Sequence, residues 1–198
     1  TARFQFNQKL QDHLTFRTSI GSGFRAPTAS QLFNKTYGNK NLKPEKSLSV
    51  DSSLELEIPN YSTKLYFEVF ENEIEDIITA PAPTYVNQQS IEALKTRGTE
   101  SRIVSKINSN LDLQLSHART LGKQADGDSI TLVPKDKLLL SINTSINKNF
   151  KLNTAYLFQN KSKDLKYNEL PVYKTLNMHL AYKRNDRSKF YMKLENIL

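Results

Sequence analysis

Residues 48–58, LSVDSSLELEI, decide the fold, because apolar and polar side chains alternate along most of the stretch. Leu48, Val50, Leu54, Leu56 and Ile58 share one parity, and polar residues fill the other. Successive Cβ atoms of a strand point to opposite sides, so this alternation predicts a β-strand with one apolar and one polar face. A tilted strand of about 9–11 residues is long enough to cross the hydrocarbon core of a membrane.

The same alternation recurs along the rest of the chain. The clearest further runs occupy residues 65–69, 111–115, 138–146, 150–158, 176–182 and 190–194. The whole pattern predicts about ten antiparallel strands, several of them much longer than the average globular strand of about 5–6 residues. We place these strands near residues 2–10, 13–20, 46–58, 62–79, 84–107, 110–120, 134–146, 150–160, 171–183 and 188–197.

The connections between these strands differ in length at the two ends of the sheet. Short polar turns are predicted at 11–12, 59–60, 108–110, 147–149 and 184–187. Longer connections are predicted at 21–43, 80–84, 120–133 and 160–170. Outer-membrane barrels have short periplasmic turns and longer extracellular loops, so the fold class is an all-β transmembrane barrel fragment. A soluble β-sandwich also alternates, but it explains neither the strand lengths nor this asymmetry.

Composition limits the other classes of protein. Hydrophobic residues make up 37% of the chain and the mean hydropathy is -0.58, with no run of the 18 or more apolar residues of a transmembrane helix. The absence of cysteine excludes thiolate metal sites and a cysteine nucleophile. The net charge of +8 is spread along the chain, which favours solvated loops and a polar lumen over a nucleic-acid surface.

Two motifs near the N-terminal end resemble a known family. The segments GSGFRAPT (21–28), QLF (31–33) and YGNKNLKPEKS (37–47) resemble the "GxGFRAP…QL" and "GNPNLKPE.S" motifs of TonB-dependent outer-membrane receptors. EDII (75–78), YVN (85–87), TRGTE (96–100), VPKDKL (133–138) and LENIL (194–198) are similar to later motifs in the family's order. The resemblance covers nearly the whole chain.

The resemblance implies a plugged barrel of about 22 strands. Residues 1–198 would then be one partial barrel domain, and the plug, the first half of the barrel and the last strand would lie outside it. The implied function is TonB-dependent uptake of a scarce nutrient chelate of the cobalamin or ferric siderophore class across the outer membrane. The implied partners are the inner-membrane TonB complex acting through the plug, the chelate, outer-membrane lipid and lipopolysaccharide, with a surface lipoprotein as a further candidate.

The long connection at 21–43 is the main candidate for substrate binding, because loops of this length are usually functional or disordered. Pro27 can open a short helical turn from Thr28 to Phe33. Polar and aromatic side chains could then contact a substrate, although some of them could instead only shape the loop. We predict substrate contacts for Arg25, Gln31, Tyr37, Asn39, Asn41 and Tyr85.

Charged residues of the polar parity are candidates for the lumen. They could bond to a plug or simply form a hydrated wall. The six that we place there are Glu55, Glu57, Glu68, Glu100, Arg102 and Lys137.

No catalytic, metal or cofactor site is predicted. The histidines His13, His117 and His179 fall on the polar parity or near a loop rim, where wall contacts are the expected role. Haem receptors of similar sequence carry a histidine between the two motifs, and residues 25–42 contain none. Asp126-Gly127-Asp128 lacks the full pattern of a calcium loop. A passive porin or adhesin, and a hydrolase with a serine and histidine dyad, are the alternative functions.

Overall fold

The computed structural model describes residues 1–80, 85–89, 93–123, 130–164 and 167–198. Ten long strands form one sheet in which each strand pairs antiparallel with its neighbours along the chain. Two small two-stranded sheets lie in the long connections. The ten strands are β1 Arg3–Gln11, β2 Leu14–Arg25, β3 Glu45–Ile58, β4 Thr63–Glu75, β7 Leu94–Asn108, β8 Leu111–Lys123, β9 Asp136–Ser145, β10 Phe150–Gln159, β13 Tyr173–Asn185 and β14 Ser188–Leu194.

The remaining elements are short. The strand pair β5 Ile78–Thr79 and β6 Gln88–Gln89 and the pair β11 Ser162–Lys163 and β12 Glu169–Leu170 form the small sheets. The helix α1 spans Ala29–Phe33, and a 3₁₀ turn spans Pro59–Tyr61. Neither described helix has the length and apolarity needed to span a membrane.

The register separates the sheet into an apolar and a polar face. Residues that are directly opposite on paired strands point to the same side of a sheet. One such row of partners is almost entirely apolar, and the neighbouring row is mostly polar. The apolar row contains Leu14, Leu56, Leu65, Ile103, Leu115, Leu140, Tyr156 and Leu176.

On β3 and β4 exposure is inverted relative to a soluble protein, since the apolar face of these strands is the more exposed one. Leu54 and Phe67 are 41% and 47% exposed, whereas the side chain of Glu55 on the other face is only 13% exposed. Leu42, in a loop, is the only buried hydrophobic residue in the described ranges. The apolar rows therefore do not meet in a globular core, and the sheet lacks the buried face of a soluble sandwich.

The apolar band crosses the rows of paired residues diagonally. From the row of Leu56, the outward apolar residues of β3 continue toward the loop end as far as Leu48. In β13 the same row holds Leu176, and the apolar residues continue toward the turn end as far as Tyr182. A band that is level in the membrane must run diagonally when strands are tilted and staggered, as they are in barrels.

An aromatic row marks the turn end of the outward face. The rings of Phe150 and Tyr182 stack with centroids 4.4 Å apart, and those of Tyr182 and Phe190 are 6.1 Å apart. Aromatic residues at the edge of an outward apolar band are typical of the membrane interface of outer-membrane barrels. The predicted all-β antiparallel barrel fragment is confirmed, because the sheet has the order, length and exposure that this fold requires.

Several predicted boundaries were wrong, and the largest errors lie toward the loop end. Strand β2 continues through Arg25, so residues 21–25 are not part of the long loop. The predicted strand 62–79 ends at Glu75, because Asp76 has a positive φ of 56° that breaks the ladder. The long strand predicted over 84–107 starts only at Leu94.

Candidate functional site

The helix α1 begins the loop that follows β2, and its N-terminus is capped by its own side chains. Thr28 Oγ1 accepts a hydrogen bond from the Gln31 backbone N–H at 3.2 Å. Gln31 Oε1 accepts one from the Thr28 backbone N–H at 2.9 Å. This reciprocal pair is a capping box, which satisfies two backbone donors that a helix start otherwise leaves free. The short helical turn predicted at this place is confirmed.

The loop turns back on itself at Gly38. The backbone N–H of Gly38 donates to the carbonyl of Asn34 at 2.9 Å, and a Cβ on Gly38 would overlap the backbone of Asn34. Glycine is needed here because only a residue without a side chain allows two backbone segments to approach so closely. The tight turn brings Tyr37 and Asn39 next to the end of α1.

Asn87 joins this loop to the connection between β4 and β7. Its side chain is 7% exposed, and its Nδ2 donates to the carbonyl oxygens of Tyr37 at 2.8 Å and Gln31 at 3.4 Å. The Asn87 backbone N–H also donates to the Tyr37 carbonyl at 2.9 Å, and Asn39 Nδ2 donates to the Asn87 carbonyl at 3.0 Å. Four hydrogen bonds thus fix two loops to each other, and breaking them would leave buried polar groups unpaired. We call this contact the loop junction.

A second set of contacts anchors both loops to the ends of the strands. Gln89 Oε1 accepts from the Lys43 backbone N–H at 2.8 Å, and Glu45 Oε1 accepts from the Ile78 backbone N–H at 2.9 Å. Arg25 and Glu45 form a bidentate ion pair above the apolar band, beyond the membrane-spanning part of the strands. The hydrogen bond from Arg25 lowers the pKa of Glu45 below its ordinary value, and the Ile78 amide adds to this effect.

Aromatic side chains remain exposed around the loop junction. Phe33 and Tyr85 are each 63% exposed and Tyr37 is 39% exposed. The Tyr37 hydroxyl is 2.9 Å from Ser30 Oγ, which orients its ring. Tyr85 lies two residues before Asn87, whose backbone the loop junction holds beside that of Tyr37. We call Phe33, Tyr37 and Tyr85 the aromatic platform.

The six residues predicted to contact the substrate differ in how available their side chains are to a ligand. Arg25, Gln31 and Asn39 use their polar groups in bonds within the protein. Asn41 is exposed, and its backbone N–H donates to Asn39 Oδ1 at 2.9 Å. Tyr37 and Tyr85 have rings that are free to contact a ligand.

The sequence did not predict the roles of Asn87, Glu45 and Gln89. Each of them makes its main bonds to residues more than 10 positions away, among them Tyr37, Ile78 and Lys43. Both loop motifs were visible, but a single sequence carries no signal that they contact each other.

The polar face carries a chain of charged contacts. Arg17 Nη1 is 2.6 Å from Glu55 Oε2, Lys64 Nζ is 2.5 Å from Glu57 Oε1, and the Arg102 guanidinium lies 4.3 Å from the centroid of the Tyr66 ring. Pairwise register places the six predicted lumen residues on this one face, which we call the polar wall. They are Glu55, Glu57, Glu68, Glu100, Arg102 and Lys137.

Glu68 and Glu100 are direct cross-strand partners on the polar wall. Two like charges placed opposite each other destabilise a sheet unless a cation lies nearby.

The histidines lie outside the loop junction. His117 Nε2 is 3.3 Å from Asp136 Oδ1, and the His179 ring stacks on Tyr191 at 5.7 Å. Among the described residues no serine hydroxyl hydrogen-bonds to a histidine ring, and no group of three potential ligands could hold a metal. The segment Asp126-Gly127-Asp128 lies outside the described residues.

Comparisons with known proteins agree on one family. A family model described as "TonB dependent receptor-like, beta-barrel" matches residues 2–197. The vitamin B12 transporter BtuB of Vibrio vulnificus (strain YJ016) is 34% identical over 92 residues, which cover 42% of this chain and 15% of that protein.

Solved structures show the same fold. The copper transporter OprC matches with a TM-score of 0.83 and 14% identity, over 98% of this chain and 33% of that chain. A mutant of the ferric enterobactin receptor PfeA from Pseudomonas aeruginosa, in complex with enterobactin, matches with a TM-score of 0.83 and 14% identity, over 99% of this chain and 34% of that one. The chain thus spans about a third of the length of these structures.

Proposed function

Because the chain belongs to the TonB dependent receptor-like β-barrel family, we propose that it is part of a receptor that binds a scarce nutrient chelate and imports it with energy from TonB. Proteins of this family lie in the outer membrane of Gram-negative bacteria, and they are receptors and transporters. The substrate would be a cobalamin or a ferric siderophore, and the protein would move it without changing it.

The observation that carries this proposal is the aromatic platform, which the loop junction holds at the extracellular end of the barrel. Rigid aromatic side chains bury a large apolar area at a small cost in conformational entropy, and they are frequent energetic centres of binding surfaces. A passive pore has no need of two loops that are fixed to each other by a buried asparagine.

The substrate class is supported by the chemistry of the loop. The relatives named above are a vitamin B12 transporter, a copper transporter and a ferric enterobactin receptor. Residues 25–42 offer no imidazole to bind haem iron, so a complete chelate held by aromatic and amide contacts suits this loop better than haem.

We assign the polar wall to contacts with a plug domain inside a closed barrel. Within the part of the chain that the structure describes, strands β1 and β14 each pair with a single neighbour. Open edges cannot face lipid, because their backbone groups would remain unpaired. Further strands of the same receptor would pair with both edges. Arg102 on the same face already offsets part of the repulsion between Glu68 and Glu100, and a cation from the plug would offset more of it. The plug would pass the pull of the TonB complex to the substrate.

The proposal is tested by binding of cobalamin, ferric catecholate and hydroxamate siderophores, and haem to the purified full-length receptor. One of the first three is expected to bind, and the double variant Tyr37→Ala with Tyr85→Ala should weaken this binding by roughly tenfold to a hundredfold. Isothermal titration calorimetry gives the affinities. No binding by any of the chelates would contradict the proposal.

The control is Tyr61→Ala, which removes an even more exposed tyrosine from the turn at the opposite rim. It should leave affinity unchanged, and an equal loss would show that the platform has no special role. Uptake of the bound chelate in cells with and without TonB then separates active import from a passive porin or adhesin. Import that persists without TonB would contradict the proposal that TonB supplies the energy.

A further inference from the structure

We infer that a groove on the outward face of β3, β4, β7 and β8 binds the phosphorylated head group of lipid A, the anchor of the lipopolysaccharide in the outer leaflet. The groove is a cavity of about 460 Å³. Its apolar side includes Val50, Val69 and Leu121. Its polar lining includes Arg97, Thr99 and Arg119, together with the carboxylates Asp51 and Glu71. The inference uses the membrane location of the family and is independent of the substrate carried.

The register places both arginines on the outward side of the sheet. Val50 pairs with Glu71, Glu71 with Arg97, and Arg97 with Leu121, so these four residues form one outward row. Arg119 lies in the adjacent row, opposite Thr99. Both rows belong to the same face as the apolar band, and not to the polar wall.

The groove lies where the apolar band ends at the loop rim. On β4 the outward residues Leu65, Phe67 and Val69 are followed by Glu71 and Glu73. Charges on the lipid side of an outer-membrane barrel are costly at mid-bilayer and cost little at the interfaces, where they reach water or head groups. The position of these residues therefore corresponds to the head groups of the outer leaflet.

The two arginines have unused capacity for an anion. Arg97 forms no ion pair among the residues that the structure describes, although Glu71 lies opposite to it in the register. Arg119 Nη1 is 4.0 Å from Asp136 Oδ1, which is a loose contact, and its side chain is 56% exposed. A phosphate accepts paired hydrogen bonds from a guanidinium, and two arginines on adjacent strands can hold one phosphate between them.

Two further cations lie next to the groove, beyond the two arginines and two carboxylates of its lining. Lys95 and Lys123 are direct partners next to the row of Arg97. Lys95 is 2.8 Å from Glu73, and Lys123 forms no ion pair with any residue in the described ranges. The apolar side of the groove offers a surface for an acyl chain. Lipid A combines phosphate with acyl chains and occupies the leaflet at the loop rim, so it fits this groove better than a free phosphate does.

The test is native mass spectrometry of the detergent-purified full-length receptor titrated with lipid A. Bisphosphorylated lipid A is expected to bind roughly tenfold more tightly than fully dephosphorylated lipid A, a comparison that needs no variant. The double variant Arg97→Gln with Arg119→Gln should lose most of this difference. Equal affinity for the two lipids, or an unchanged difference in the double variant, would overturn the inference.

The matched control removes two cations from short turns at the opposite rim, Lys148→Gln with Arg187→Gln. This variant should keep the preference for phosphorylated lipid A. If it lost as much of this preference as the groove variant, the preference would depend on net charge alone and the inference would be wrong. Phosphatidylglycerol, a different lipid with a phosphate group, is titrated as a comparison. If it binds as tightly as lipid A and depends on the same arginines, the assignment to lipid A is wrong.

Discussion

Replacing Leu140 by arginine is expected to lower the free energy of unfolding of the full-length barrel by about 2–4 kcal/mol. Leu140 is the middle one of three outward apolar residues on β9, between Leu138 and Ile142, and it pairs with Leu115 and Tyr156 on the same face. An arginine there must either bring its charge into hydrocarbon or bend its side chain toward the interface. Denaturant titration of barrel refolded into lipid vesicles measures the loss.

The matched control is Asn143→Arg, three residues further along the same strand. Asn143 is exposed on the polar face and accepts a hydrogen bond from Asn153 Nδ2 at 2.5 Å. Losing this bond should cost about 1 kcal/mol of the free energy of unfolding. The charge of the new arginine should add little to this cost, because it remains in contact with water. If both variants lost the same free energy of unfolding, the two faces would be wrongly assigned.

The variant Gly98→Ala is expected to cost about 1–3 kcal/mol of the free energy of unfolding. A Cβ on Gly98 would overlap the carbonyl oxygen of Arg119 on the neighbouring strand and would lie 2.7 Å from Cζ of the Phe70 ring. The ring of Phe70 can rotate away, but the backbone of β8 is held by its hydrogen-bond ladder. The cost should therefore fall at the upper end of this range, again measured by denaturant titration.

Gly21→Ala provides the comparison for this prediction. Gly21 also lies inside a long strand, but its added Cβ would be 3.6 Å from Arg3 Cγ, an ordinary contact. Alanine restricts the unfolded chain, so this variant should be neutral or slightly stabilising. A large loss at Gly21, or none at Gly98, would contradict the strand pairing described for these positions.

The sequence predicted the sheet well because its decisive signal is local. Alternation within β3 or β9 depends only on neighbouring positions, and one face must match lipid wherever the strand crosses the membrane. The short helical turn from Thr28 to Phe33 was likewise predicted from a local signal, Pro27 at its start. Short turns and long loops then gave the orientation of the strands.

The errors occurred where pairing between distant segments overrides local preference. The glycines and serines before Arg25 are typical of a loop. In the structure, however, Gly23 pairs with Ser47 and Arg25 pairs with Glu45. Pairing with β3 therefore extends β2 beyond the apolar band. The loop junction was not predicted because Asn87 and Tyr37 are 50 residues apart. Contacts of this kind depend on the folded sheet, which brings the loops together.

Hydrocarbon touches one face of the sheet, and water or protein touches the other. Single spin labels at the neighbouring positions Phe67 and Glu68 of the full-length receptor in vesicles test it directly. These positions point to opposite sides of β4. A label at Phe67 should be relaxed strongly by oxygen and weakly by a water-soluble nickel chelate, and a label at Glu68 should not share this preference for oxygen. Labels that respond alike at both positions, or a reversed order, would contradict the account.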